Sequence, residues 1–140
     1  MEAEKNMIVP NGAAIAVVDG KRLQLFQNKG HEPHIDLAPL AEPALEPANA
    51  GSGTRHRSSL ANPDSRRMEE DDFVAAAASY LNKEVLQGHV RQLMVIADPR
   101  SLGELRRHFH PALEERLIAE VAKDMTGLAL GEIEAALTRV

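Results

Sequence analysis

The residues best suited to binding chemistry lie in a basic, glycine-bearing segment near the middle of the chain, AGSGTRHRSS at residues 50–59. Arginine forms bidentate hydrogen bonds with phosphate, and glycine lets a backbone approach such a ligand closely. The segment and the arginine pair after it therefore predict a surface for RNA or another polyanion. A solvated loop is the alternative, because short basic stretches are common in segments that bind nothing. The predicted binding residues are Gly51, Gly53, Arg55, His56, Arg57, Arg66 and Arg67.

Two aspartates at the ends of predicted strands, Asp19 and Asp98, could hold a metal ion. A two-metal nuclease places carboxylates on neighbouring strands, and the acidic run at residues 69–72 could add a third. Structural roles explain these acids more simply. Asp19 suits a hairpin turn, Asp98 suits a helix N-cap, and the acidic run suits the first turns of a helix. We therefore predict no metal site.

The histidines at positions 108 and 110 are the other candidate metal ligands. They would converge only if a helix ended between them, and zinc usually takes three or four protein ligands. A helix C-terminus, where the dipole favours positive charge, explains both histidines better. The chain has no cysteine, and no serine has the surroundings of a nucleophile elbow. The sequence therefore predicts no catalytic residue and no cofactor.

The first third of the chain predicts antiparallel strands. Residues 13–18 form an apolar run of strand length, and Asp19-Gly20 predicts a two-residue hairpin turn in which both residues tolerate positive φ. Residues 22–28 alternate in polarity and form the returning strand. Residues 34–37 predict a short third strand, and the flanking Pro33 and Pro39 place it at a sheet edge.

A long helix follows a Pro-, Ala- and Gly-rich stretch. Asn62-Pro63 predicts its start, and Gly88 predicts its end after Gln87. Apolar residues recur along one face of this helix, at Phe73, Val74, Ala77, Ala78, Leu81 and Val85.

The final third predicts alternating strands and helices. Residues 93–97 form a continuous apolar run, typical of a strand covered on both faces. Asp98 caps the next helix, whose buried side carries Leu102, Leu105 and Phe109. Residues 116–123 suit either a helix or a strand. The last segment predicts a helix with one apolar face formed by Leu130, Ile133, Leu137 and Val140.

Length and composition predict one domain. The chain has 140 residues, of which 44% are hydrophobic and 26% are charged, as in ordinary globular proteins. Residues 1–12 are predicted to form a flexible N-terminal extension, and residues 13–140 a single domain with a long mobile loop at about 39–62. No segment has a signal-peptide pattern or the roughly 18 apolar residues of a membrane span, so we expect a cytoplasmic protein. A net charge of -5 argues against a surface that is basic throughout.

The C-terminal half carries a family resemblance. The stretch from Val95 to Leu137, with ADPRSLGELRRHFHPAL as its most distinctive part, is similar to the bacterial host attachment family, as is the N-terminal hairpin. The resemblance covers about Ile15 to Leu137. It implies a role in bacterial attachment to host cells but specifies no chemistry.

The order of hairpin, glycine-bearing basic segment, long helix and buried strand also resembles the middle domain of archaeal and eukaryotic peptide-chain release factors. This second resemblance implies an RNase H-like α/β fold, with a mixed five-stranded sheet in the order β-β-β-α-β-α-β-α and helices packed on its faces. It also implies that residues 116–123 form a strand. In release factors the loop carries Gly-Gly-Gln, and its glutamine enters the peptidyl-transferase centre. Here Gly51-Ser52-Gly53 stands at that place, and no glutamine occurs between Gln27 and Gln87.

These resemblances predict a non-enzymatic binding domain of the host attachment family, acting on an unidentified protein partner. The alternative is a translation-linked, release-factor-like protein that binds RNA or the ribosome through the basic segment 51–67. Peptidyl-tRNA hydrolysis cannot be carried over from the release factors, because the glutamine on which it depends is missing.

Overall fold

One mixed sheet organises the computed structural model, which describes residues 9–45 and 63–139. The elements within these ranges are β1 (Ala14–Val18), β2 (Leu23–Asn28), β3 (Leu37–Leu40), α1 (Pro63–Leu86), β4 (Leu93–Ala97), α2 (Pro99–Arg106), α3 (Pro111–Arg116), β5 (Leu117–Ala122) and α4 (Leu130–Arg139).

The five described strands lie in the order β3-β2-β1-β4-β5. β1, β2 and β3 form an antiparallel meander, whereas β4 and β5 run parallel to β1. This arrangement confirms the predicted α/β class and is consistent with an RNase H-like fold. Residues 117–122 form a strand, as the release-factor resemblance implied. The short helix α3 was not predicted.

The sheet is covered on both faces, which explains the continuous apolar runs of β1 and β4. α1, α2 and α3 pack on one face, where the buried side chains include Val74, Leu81, Leu102, Leu105 and Leu113. α4 packs on the other face through Ile133 and Leu137, against sheet residues that include Ile15, Met94 and Ile96. Every residue of β1 and β4 is buried.

The long helix begins at Pro63, as predicted, and ends at Leu86, one residue before the predicted end. Within its apolar stripe, Ala77, Ala78 and Leu81 are at most 1% exposed. Gly88 follows the helix with φ +82°, a left-handed conformation that stops a helix and favours glycine.

The β1–β2 connection differs from the prediction. Val18 pairs with Leu23, so the loop contains four residues, 19–22, rather than two. Gly20 does not have positive φ. The carboxylate of Asp19 explains the difference, because its Oδ1 accepts hydrogen bonds from the backbone N–H groups of Lys21 at 2.8 Å and Arg22 at 2.7 Å. This Asx-type turn stabilises a longer loop without positive φ.

β3 lies at the sheet edge, as predicted, but begins three residues later than expected. Pro39 is inside the strand, opposite Phe26. The backbone N–H of Leu37 donates to Glu134 Oε2 of α4 at 2.7 Å. The carboxylate thus holds the start of the edge strand against the terminal helix.

The buried side chain of Asn28 joins the segment before β1 to the connection between β2 and β3. Its Nδ2 donates to the carbonyl oxygens of Val9 at 2.8 Å and Pro10 at 3.3 Å. Its Oδ1 accepts from the N–H groups of Gly30 at 3.0 Å and Asp36 at 2.9 Å. Val9 itself is 2% exposed. Residues 9–12, predicted to belong to the N-terminal extension, therefore include a residue of the core, whereas residues 1–8 lie outside the described residues.

Candidate functional site

A charged cleft of about 280 Å³ lies where β1 and β4 end. Val18 pairs with Ala97 in parallel strands, so Asp19 and Asp98 are the first residues beyond two neighbouring strands. The charged side chains lining the cleft are Asp19, Lys21, Glu70, Asp71, Asp98 and Arg100, and they are accompanied by Gly20, Val74 and Ser101. The sheet and the first half of α1 therefore converge on this site.

Asp19 is the most constrained acid of the charged cleft. Its Oδ1 accepts the two backbone hydrogen bonds of the β1–β2 loop, and its Oδ2 accepts a hydrogen bond from Thr126 Oγ1 at 2.7 Å. Partial burial alone would raise the pKa of Asp19, but the hydrogen bonds from Thr126, Lys21 and Arg22 outweigh it and hold the pKa below its ordinary value. Asp19 is thus a carboxylate whose two oxygens are both occupied by the protein.

Asp98 caps α2, as predicted. Its Oδ2 accepts a hydrogen bond from Ser101 N at 3.1 Å, and Pro99 takes the first helical position, where its missing N–H costs nothing. This cap sets the position of Arg100 in the first turn of α2.

Arg100 connects α2 with the acidic run of α1. Its Nη2 donates to Asp71 Oδ1 at 2.8 Å, and its Nη1 lies 3.5 Å from Glu70 Oε1. Gly20 also packs against Glu70, because a Cβ placed on Gly20 would lie only 2.8 Å from Glu70 Cγ. A glycine is therefore required at position 20 by close approach, and not by the positive φ expected from the sequence.

A two-metal nuclease of RNase H-like fold would hold its metal ions with carboxylates on neighbouring strands, but the donor atoms of this cleft do not fit such a site. Both oxygens of Asp19 accept internal hydrogen bonds, one oxygen of Asp98 caps α2, and Arg100 engages the acids of α1. Within residues 9–45 and 63–139, no group of three or more histidine or acidic side chains is arranged to hold a metal ion. No metal-dependent step is assigned to the cleft.

Comparison with known families decides the relationship of the chain. The family model described as Bacterial archaeo-eukaryotic release factor family 12 matches residues 12–137. The chain belongs to this family. The match supports the release-factor resemblance and gives no support to the host attachment name. No curated protein matches the chain.

The family 12 match spans both the charged cleft and the predicted basic segment. Gly51, Gly53, Arg55, His56 and Arg57 lie outside the described residues. Arg66 and Arg67 are described, and both are exposed in the first turns of α1. They precede Glu70 and Asp71 of the charged cleft by about one helical turn, and no acidic side chain within the described ranges pairs with either arginine.

The flank before the basic segment is also held near the charged cleft. Arg22, in the β1–β2 loop, donates through Nη2 to Glu42 Oε2 at 2.7 Å. β3 is antiparallel to β2 and therefore runs in the same direction as β1, towards the end of the sheet at which β1 ends. The described residues on both sides of the basic segment, residues 41–45 and the start of α1, therefore lie at the same end of the sheet in this family 12 domain.

The two histidines have separate structural roles. His108 Nε2 lies 3.1 Å from Glu104 Oε2, near the end of α2. His110 is the N-cap of α3, because its Nδ1 accepts a hydrogen bond from Ala112 N at 2.9 Å. The prediction that both histidines mark a helix C-terminus was therefore wrong for His110.

Sequence reasoning missed the role of Arg100. Residues 69–72 were assigned to the first turns of a helix, yet Glu70 and Asp71 also line the charged cleft and pair with Arg100. The available signal was the N-cap at Asp98, which predicts the start of α2 and hence an arginine in its first turn beside two strand-end acids.

A second cavity, of about 130 Å³, lies at the opposite end of α1 and is mainly apolar. Tyr80, Leu25 and Leu40 are among its lining residues, with the Glu84–His89 pair at 3.3 Å beside them. Its few polar groups do not converge as those of the charged cleft do. No helix in the described part of the chain is long and apolar enough to cross a membrane.

Proposed function

We propose that this protein is a translation-linked, release-factor-like RNA-binding protein that contacts the ribosome through the basic segment 51–67. The family 12 match over residues 12–137 is the observation that carries this proposal. It supports the release-factor alternative of the sequence analysis better than the attachment role. The protein would act in the cytoplasm, where ribosomes are found.

The position of Arg66 and Arg67 supports a contact with phosphate. Both are exposed, and the described residues offer them no acidic partner. Arginines free of ion pairs can form bidentate hydrogen bonds with phosphate oxygens, which fix the position of a protein on RNA without reading its sequence.

The acidic surroundings restrict where RNA can bind. The chain carries a net charge of -5, and the charged cleft contains four carboxylates beside two cations. Phosphate is repelled by such a cleft. RNA would therefore contact the basic segment and the outer face of the first turns of α1, rather than enter the cleft.

The proposed action is binding and not release of the nascent peptide. Release factors depend on the glutamine of Gly-Gly-Gln, and this chain has no glutamine between Gln27 and Gln87. We therefore expect ribosome association without turnover of peptidyl-tRNA.

Paired charge variants test the RNA contact. Arg66→Ala/Arg67→Ala should weaken binding to bacterial ribosomes and to a fluorescent single-stranded RNA. If both arginines contact phosphate, the slope of log affinity against log salt should become shallower by about 1.4, at about 0.7 per contact on single strands. Arg55→Ala/Arg57→Ala should act in the same direction.

Lys29→Ala/Arg91→Ala is the matched control. It removes two exposed cations at the opposite end of the sheet, where β1 begins, and changes the net charge equally. Its binding should fall only slightly. If the control lost as much affinity for RNA as the arginine variants, the loss would be explained by net charge alone. The basic segment would then be rejected as the contact. A wild-type protein that neither co-sediments with ribosomes nor binds RNA would reject the proposed function itself.

A further inference from the structure

The charged cleft brings four carboxylates together with an internal cation, Arg100. Asp19 and Asp98 follow neighbouring parallel strands, and Glu70 and Asp71 approach them from α1. Carboxylates in such a cluster attract divalent cations unless another positive charge neutralises them.

Arg100 supplies that positive charge from within the chain. Its guanidinium reaches Asp71 at 2.8 Å and Glu70 at 3.5 Å, so one side chain spans both acids that α1 contributes to the cleft. The two strand-end acids are engaged separately, Asp19 by three hydrogen bonds and Asp98 by the cap of α2. Each of the four carboxylates therefore has at least one oxygen held by a group of the protein itself.

We propose that Arg100 is the built-in cation of the charged cleft and that it excludes divalent metal ions from this RNase H-like site. The guanidinium of Arg100 offsets the negative charge of Glu70 and Asp71. Unlike a metal ion, it has no open coordination position at which a substrate or water could bind, as two-metal chemistry requires. The cleft is thus a junction between α1 and α2 in which Arg100 balances part of the negative charge. This inference does not depend on RNA binding through the basic segment.

The variant Arg100→Gln tests the proposal because it removes the charge and keeps a hydrogen-bonding amide. The ion pair is substantially exposed, with 45% of the Arg100 side chain and 37% of the Asp71 side chain accessible, and such pairs contribute little to folding. The variant should therefore fold, and circular dichroism before heating verifies this.

Thermal unfolding is followed in MgCl₂, in MnCl₂ and in NaCl of the same ionic strength, so that screening is separated from binding. Arg100→Gln should be stabilised by the divalent salts beyond the effect of NaCl. A cation at ten times its dissociation constant raises the folded-to-unfolded ratio about 11-fold. The wild type should respond equally to all three salts.

Three further variants locate the effect. Arg100→Lys retains a positive charge and should behave like the wild type. Arg106→Gln removes an arginine that pairs with Glu120 at 2.6 Å outside the cleft, and it should show no specific response to divalent salts. Adding Asp71→Asn to Arg100→Gln should abolish the gain.

Specific stabilisation of the wild type by Mg²⁺ or Mn²⁺ would overturn the proposal. A folded Arg100→Gln variant that is not stabilised by divalent salts beyond the effect of NaCl would also overturn it. So would a stabilisation that survives the addition of Asp71→Asn, because the cation would then bind elsewhere.

Discussion

Replacing Asn28 with alanine tests whether one buried side chain holds the segment before β1 and the connection between β2 and β3. Asn28 is 1% exposed, and its amide forms four hydrogen bonds with backbone groups on both sides of β2. The N-terminal partners belong to residues 9 and 10, and the C-terminal partners to residues 30 and 36. Removal of the amide should therefore loosen both segments together.

The expected loss follows from the groups left without a partner. Pro10 O also accepts a hydrogen bond from Ala13 N at 3.1 Å, so it remains paired. Val9 O, Gly30 N and Asp36 N lose their Asn28 partner, and the first two of these bonds are buried. At about 1–3 kcal/mol for each buried group left unsatisfied, the free energy of unfolding should fall by about 3 kcal/mol.

Urea unfolding followed by circular dichroism measures this loss, and hydrogen exchange should show faster exchange at Gly30 and Asp36. Gln27→Ala is the matched control, because Gln27 is the neighbouring residue and its side chain forms a single long hydrogen bond with the described residues, at 3.5 Å to Gly12 O. The control should cost less than about 1 kcal/mol. Similar losses in the two variants, or an Asn28→Ala loss below about 1 kcal/mol, would refute the assigned role.

Two further variants test the charged cleft and the core. Asp19→Asn should destabilise the protein by about 1–2 kcal/mol at neutral pH. Because the folded pKa of Asp19 is lowered, its stabilisation is complete above the ordinary value of 3.8 and is lost as pH falls through the lowered pKa; a difference from wild type that stays constant down to acid pH would contradict this. Leu81→Ala should lower the free energy of unfolding by about 2–5 kcal/mol, measured with denaturant, because Leu81 lies on the buried face of α1 and is 1% exposed. Leu86→Ala on the same helix, at 57% exposure, should cost far less, and equal costs would mean that α1 does not pack through the predicted face.

Elements with strong local signals were predictable from the sequence. The apolar runs of β1 and β4 predicted buried strands, and the pattern from Phe73 to Val85, ending before Gly88, predicted α1 closely. These features depend on residues that are near one another in the chain. Residues 116–123 were ambiguous by periodicity, and only the family resemblance identified the strand.

Features that depend on distant partners were not predictable. The register of β3 depends on Asn28 and on Glu134, whose contact with Leu37 joins residues 97 positions apart. The bond between Arg100 and Asp71 likewise joins residues 29 positions apart. Neither pairing has a periodic signal. The start of α3 was missed because His110 was assigned to the preceding helix, although His110-Pro111 matches a cap followed by proline.

The edge strand β3 has one further consequence, for self-association. Asn28 N donates to the oxygen of Ala13, the residue just before β1. Its partner Leu37 therefore directs its own N–H away from β2, and Pro39, two residues further on, faces the same way. The Leu37 N–H is taken by Glu134, and proline has no N–H. Along β3 the outer edge therefore has no free donor with which another chain could extend the sheet. Such an edge resists the strand-to-strand stacking that begins amyloid growth.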